Sequence, residues 1–136
     1  MTVFVCVDDG GGMLFNKRRQ SRDSKVLEDV VKTAGDGIIY ISDFSEALFS
    51  ESDISVISVP DPLYAVGKGG FAFIEDQPLL PYKDKIDRLI IYKWNKNYPK
   101  STLLDVTPSK IGLRLKTKRD FKGTSHDKIT REEYVR

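Results

Sequence analysis

Cysteine, histidine and tryptophan each occur once in this chain of 136 residues. One cysteine excludes an internal disulfide. Cys6 and His126 together are too few for the nitrogen- and sulfur-rich sites that zinc takes, so no metal is expected. Cys6 lies in "VFVCV" and reads as a small buried hydrophobe rather than a nucleophile, which would need a lowered thiol pKa and a neighbouring base. Long apolar runs are missing too. Nothing approaches the roughly 18 residues of a membrane span, and the first residues lack a signal peptide's basic region and cleavage site. A cytoplasmic location with no membrane partner is the expectation. Strong charge of one sign is also absent, since 22 basic and 20 acidic residues leave a formal +2. That balance hides a division. Residues 1–81 carry 7 basic and 13 acidic groups, net −6, whereas residues 82–136 carry 15 and 7, net +8. The polarity would steer an anionic partner if the fold preserved it, and would vanish if the fold mixed the two surfaces.

Hydrophobic residues at 40% and charged residues at 31% describe a chain able to bury a core. Its length suits one core, and no repeat, low-complexity linker or boundary divides it, so residues 1–136 are read as a single domain. "TVFVCV" (2–7) is apolar throughout and predicts a strand covered on both faces. "DDGGG" (8–12) ends it. A helix is predicted from about Arg22 to Ala34, capped by Ser21 or Asp23 and closed by Gly35, with Val26, Leu27, Val30, Val31 and Ala34 on one face. "GIIYI" (37–41) and "ISVISV" (54–59) predict strands. Between them Asp43 and Glu46 have capping-box spacing, and Phe44, Ala47 and Leu48 lie on one side of a short helix. "GKGG" (67–70) is a loop before the strand "FAFIE" (71–75). "DRLIIYKW" (87–94) is a stronger strand, and "IGLRLKT" (111–117) and "EEYVR" (132–136) are late ones, the last also readable as a short helix. The fold class is α/β: one compact domain with a mixed sheet flanked by short helices.

The order of these signals resembles a reduced dihydrofolate-reductase-like domain. "VFVCVDDGGGMLF" resembles that family's opening strand and the loop beside its substrate pocket. "GGFAFIED" is similar to its glycine-pair turn and following helix, against the strand read at 71–75. "KIDRLIIYKW" resembles a family strand entered from an acidic turn, and the final segment would supply the closing hairpin. The resemblance implies the fold more than the reaction. The tryptophan-containing segment after the opening loop is replaced by "NKRRQSRDSKVLED", where Asp23 and then Glu28 are the nearest acids. After "GIIYI", Ser42-Asp43 replaces the basic turn that takes a nicotinamide cofactor's phosphate, and Asp43 would repel it. No cofactor is expected. The blocks "VCVDD", "FNKRRQSRD", "YKWNKNYP" and "GTSHDKIT" are similar to a group of small bacterial proteins, some assigned as ribonuclease Z. That assignment implies a two-zinc phosphodiesterase site, which the lone His126 cannot supply.

The stretch "VDDGGGMLFNKRRQSRD" (7–23) carries the candidate ligand site. Glycines such as Gly11 allow a tight loop or a close ligand approach, while Asn16, Lys17, Arg18 and Arg19 form a rim facing an anion. "GGGMLF" lacks the order of a P-loop, and "GKGG" is no Rossmann fingerprint. Asp8 and Asp9 would orient a polar substrate, bind magnesium with water molecules, or simply end a strand, and Gln20, Arg22 and Asp23 would make contacts at a helix start. The candidate ligand-binding set is therefore Asp8, Asp9, Gly11, Lys17, Arg18, Arg19 and Asp23, with no catalytic residue assigned. Trp94 and Tyr98, among lysines, offer a stacking surface or a core anchor. Ser125, His126 and Asp127 are adjacent, which is a turn signal and not a hydrolase triad. Three readings stay open: a small-molecule-binding or regulatory protein taking an anionic ligand, a small enzyme with an acidic and basic loop site, or a basic RNA- or protein-interaction module. A homodimer is compatible with the aromatics.

Overall fold

The computed structural model describes residues 1–50 and 55–136. Along the chain come β1 (Thr2–Val7), β2 (Gly12–Phe15), β3 (Arg18–Arg19), helix α1 (Ser24–Ala34), β4 (Ile39–Ile41), α2 (Glu46–Phe49), β5 (Val56–Ser58), α3 (Pro62–Ala65), β6 (Phe71–Phe73), β7 (Arg88–Lys93), β8 (Thr102–Leu103), β9 (Arg114–Phe121) and β10 (Ile129–Val135). Turns of 3-10 helix occupy Asp43–Ser45, Leu80–Lys85 and Pro108–Ile111. Seven strands form a mixed sheet in the order β5-β4-β6-β1-β7-β10-β9. The first five are mutually parallel, whereas β10 runs antiparallel to both β7 and β9.

This order explains why β1 and β7 are apolar without alternation. Val3, Val5, Leu89 and Ile91 point to one face, where Leu63, Leu79 and Ile86 cover them. Phe4, Ile90 and Tyr92 point to the other and meet Val26, Val30 and Ala34 of α1. Helix α1 begins at Ser24 because Asp23, not Ser21, caps it: Asp23 Oδ1 accepts from the amides of Lys25 at 2.9 Å and Val26 at 3.3 Å. Gly35 ends it at φ 58°, with its amide on the Val31 carbonyl.

Several expectations need correction. The glycine pair Gly69-Gly70 leads into strand β6 and not a helix, because Phe71 and Ala72 pair with β1 on one side and β4 on the other. No capping box forms at 43–46: Asp43 starts a 3-10 turn, and the Ser42 hydroxyl donates to Asp76 at 3.0 Å. Leu48 and Phe49 are buried there, while Ala47 is exposed. Of the expected strand 54–59, β5 keeps residues 56–58, and Ile54 lies outside the described residues. The C-terminal segment is a strand, since β10 is held by ladders on both sides.

A second sheet, β3-β2-β8, was not expected. Its hairpin turns on Asn16 and Lys17 at φ 49° and 64°, the left-handed geometry of a two-residue β-turn. The division of charge along the sequence partly cancels in space. Lys100 pairs with Asp8, and Arg119 and Arg131 pair with Asp29 of α1. Among the described residues no helix is long and apolar enough to cross a membrane.

Candidate functional site

Asp8 ends β1 and fastens two loops together. Its Oδ1 accepts from the amides of Gly10 at 3.0 Å and Gly12 at 2.7 Å. Its Oδ2 accepts from the Tyr98 amide at 3.0 Å and Gln20 Nε2 at 3.1 Å, with Lys100 Nζ at 3.0 Å. Burial alone would raise the Asp8 pKa, but the bonds from Lys100 and the three amides outweigh it and hold the carboxyl below its ordinary value. Gly12 has to be glycine, since a Cβ there would lie 2.8 Å from Gln20 Nε2 and from Lys100. Gly11, at φ 76°, passes its carbonyl to the Leu104 amide. Asp9 is exposed, as are Lys17 and Arg18 on the β2–β3 hairpin. Among the described residues neither Lys17 nor Arg18 has a carboxylate partner.

Arg19 points the other way. Its Nε and Nη2 meet Glu75 Oε1 and Oε2 at 2.9 and 3.0 Å, and Nη2 also reaches the Phe44 carbonyl at 3.1 Å. The Ser45 hydroxyl donates to Glu75 Oε2 at 2.6 Å. This fork-to-fork pair closes a cavity of about 20 Å³ lined by Cys6, Asp23, Leu48, Phe73, Glu75 and Trp94 among others. That volume suits about one water molecule. Burial, then the charges of Glu75 and Asp23, push the Cys6 thiol up, so it stays protonated.

Asp23 forms the far wall. Beyond capping α1, its Oδ2 accepts from the Ser125 amide at 2.7 Å and hydroxyl at 2.6 Å. These bonds and those from Val26 and Lys25 overcome the burial that would otherwise raise its pKa, which ends below the ordinary value. The approach is possible because residue 123 is glycine; any Cβ there would collide with the Asp23 carboxylate. Ser125 Oγ lies 2.6 Å from His126 Nδ1, and His126 Nε2 lies 2.6 Å from the Tyr98 hydroxyl. The imidazole stacks on Trp94 with ring centres 5.0 Å apart. Burial lowers the His126 pKa; the Asp23 charge opposes this and that of Lys96 adds to it. Ser125 and His126 thus do interact, but the acid is Asp23 and it grips the serine. A hydrolase relay would need the acid on the imidazole.

Outside the closed cavity lies an open groove of about 460 Å³, between the β2–β3 hairpin and the loop after β7. Phe15, Asn16, Arg18, Arg19, Gln20, Tyr98 and Pro99 line it. Its volume is that of a small-molecule site. Arg19 and Gln20 border both cavity and groove. Of the residues singled out in the sequence, Asn16, Arg18, Arg19 and Tyr98 come together in the groove. Asp8 fastens the loops that carry Gln20 and Tyr98, Asp23 lines the inner cavity, and Gly11, Asp9 and Lys17 lie outside the groove lining. Phe15 and Pro99 were not singled out in the sequence, and Gln20 was expected only to make contacts at a helix start. An aromatic or a proline beside a turn carries no ligand signal of its own. Among the described residues no three His, Cys, Asp or Glu side chains converge as metal donors.

No family model matches the chain. No curated protein matches it either. Among solved structures it is similar to dihydrofolate reductase from Enterococcus faecalis, complexed with NADP(H) and RAB-propyl. The TM-score is 0.66 over 99% of this chain and 95% of that one, at 11% sequence identity. So low an identity speaks for the fold alone, and with the parallel strands flanking β1 and the antiparallel β9–β10 hairpin the chain has a dihydrofolate-reductase-like fold.

Proposed function

We propose that this protein binds an anionic small molecule, as a binding or regulatory protein, in the groove lined by Arg18, Arg19, Gln20, Tyr98 and Phe15. The observation that carries this reading is the Arg18 guanidinium, which has no carboxylate partner among the described residues and sits beside Phe15, 42% exposed, in a groove of about 460 Å³. The groove lies past the carboxyl end of β1, where open α/β sheets take ligands. Arg18 supplies the charge and Phe15 a flat apolar contact. Asp8, Gly11 and Asp23 hold the walls in place, and Asp9 and Lys17 form the outer rim.

Two features favour binding over the chemistry of the Enterococcus faecalis enzyme. The Arg19–Glu75 pair leaves about 20 Å³ at the end of β1, too little for a ring system. Asp43, exposed just past β4, would repel the phosphate of NADP(H), the ligand of that enzyme's structure.

The test is an amide-shift NMR titration with phenyl phosphate. Saturable shifts confined to residues 15–20 and 97–100 are expected, weakened by salt and reduced about tenfold in affinity by Arg18→Ala, roughly the worth of one charge-assisted contact. No saturation, or saturation indifferent to Arg18→Ala, overturns the reading.

A further inference from the structure

The hydrogen-bonding sense of the groove follows from a series of four side chains that begins at Asp23. Asp23 Oδ1 accepts from the amides of Lys25 and Val26, and Oδ2 accepts from the amide of Ser125, so both oxygens act as acceptors. The Ser125 hydroxyl, 2.6 Å from Oδ2, therefore donates its proton there and shows only lone pairs to His126 Nδ1. Nδ1 must then carry the ring proton, Nε2 must accept, and the Tyr98 hydroxyl at 2.6 Å must donate to it. No other assignment satisfies every bond of a neutral imidazole. The neutral form is favoured by burial of the ring and by the Lys96 charge, against the single charge of Asp23. Ser125 and Tyr98 are its remaining polar neighbours.

With its proton donated to His126, the Tyr98 oxygen has only lone pairs left for the groove that it lines. The groove therefore combines a cation at Arg18 with an acceptor at Tyr98 that wants a donor.

We propose that Tyr98 is the specificity-determining acceptor of this groove, and that its ligand is an anionic small molecule carrying a hydroxyl or amine donor beside its charged group. The assignment rests on the groove being a ligand site, and it makes His126 a positioning residue that acts through Tyr98.

The experiment has two parts. Long-range proton–nitrogen NMR on the imidazole, unambiguous because His126 is the one histidine, reads its tautomer in the unmodified protein at pH 7.5. The Nδ1–H form is expected, with a shift toward Nε2–H in Ser125→Ala and Tyr98→Phe. Titrations then compare phenyl phosphate with its 3-hydroxy and 3-methoxy forms. The hydroxy form should bind about three- to tenfold more tightly than the methoxy form, the worth of one hydrogen bond, and the preference should disappear in Tyr98→Phe. An Nε2–H imidazole in the unmodified protein overturns the proposal. Equal binding of the hydroxy and methoxy forms, with phenyl phosphate itself bound, overturns the specificity role. An Nδ1–H imidazole with no binding of phenyl phosphate removes the groove as a ligand site, and the specificity assignment with it, while the proton order of the four side chains stands.

Discussion

Arg19, at the end of β3, and Glu75, just past β6, meet in a two-bond fork at 2.9 and 3.0 Å, with the Ser45 hydroxyl on the same carboxylate. The pair turns part of a basic run into a seam between the small sheet and the large one. Its geometry is that of the strong class of charge-assisted bonds, and its side chains retain 24% and 10% exposure.

Among the described residues, Glu75→Leu leaves the Arg19 guanidinium with the Phe44 carbonyl as its one hydrogen-bond acceptor and is expected to cost about 1–3 kcal/mol, reduced toward the lower end by the exposure of Arg19. Arg19→Met with Glu75→Leu should cost less than the two single changes added. Urea unfolding of the four proteins checks this; strict additivity would mean the pair is not coupled.

Asp23 serves two elements, and substitutions can separate them. Asp23→Ala removes the α1 cap and the tether to Ser125 and should cost about 1–2 kcal/mol or more. Gly123→Ala should break the tether while sparing the cap, because the new Cβ meets the Asp23 carboxylate. Native-state hydrogen exchange is the measurement. The Ser125 amide should lose protection in both variants, and the Lys25 and Val26 amides in Asp23→Ala alone.

Acid should unfold the protein through three carboxylates. Asp8, Asp23 and Asp29 all have pKa values held below the ordinary 3.8; burial opposes this in each, and hydrogen bonds and cations prevail, Tyr92 at 2.5 Å and Arg131 at 2.7 Å in the case of Asp29. A lowered folded pKa means that the unfolded chain binds protons first. The stabilisation is therefore complete above about pH 4 and is lost as pH falls through the folded values. His126, also lowered, adds a smaller loss that begins below its ordinary value of 6.5. Urea midpoints should decline slightly from pH 7 to 5 and steeply below 4. Asp8→Asn should flatten the steep part.

Cys6 should resist alkylation. Its thiol is pushed well above the usual range by burial and by Glu75 and Asp23, so thiolate is scarce at pH 8. Labelling by a thiol-specific reagent should be slow in the native protein and fast in urea. Equal rates would show that the sulfur is open to solvent.

Strands β1 and β7 and helix α1 were legible because continuous hydrophobicity and end signals at Asp23 and Gly35 are local properties. The small sheet was not. β3 and β8 are two residues each, and the β2–β3 turn uses Lys17 at positive φ, where a glycine would have announced it. The exposure of the basic run was legible at Lys17 and Arg18 and not at Arg19, because the partner that turns Arg19 inward lies 56 residues away. The Ser125–His126 contact looked like simple adjacency for the same reason: the carboxylate that organises it, Asp23, is 102 residues distant. Tyr98 reads as an aromatic among lysines, and nothing local shows that its hydroxyl bonds to an imidazole 28 residues further on.

Strand β1 takes its place at the centre of the sheet by pairing Thr2 with Phe71 on one side and with Arg88 on the other. Both partners are made long after it. During synthesis β1 has both edges unpaired until residues 71–73 and then 88–93 have emerged, so its place in the sheet depends on contacts of long sequence separation. The interval between them is when this chain most needs protection from its neighbours.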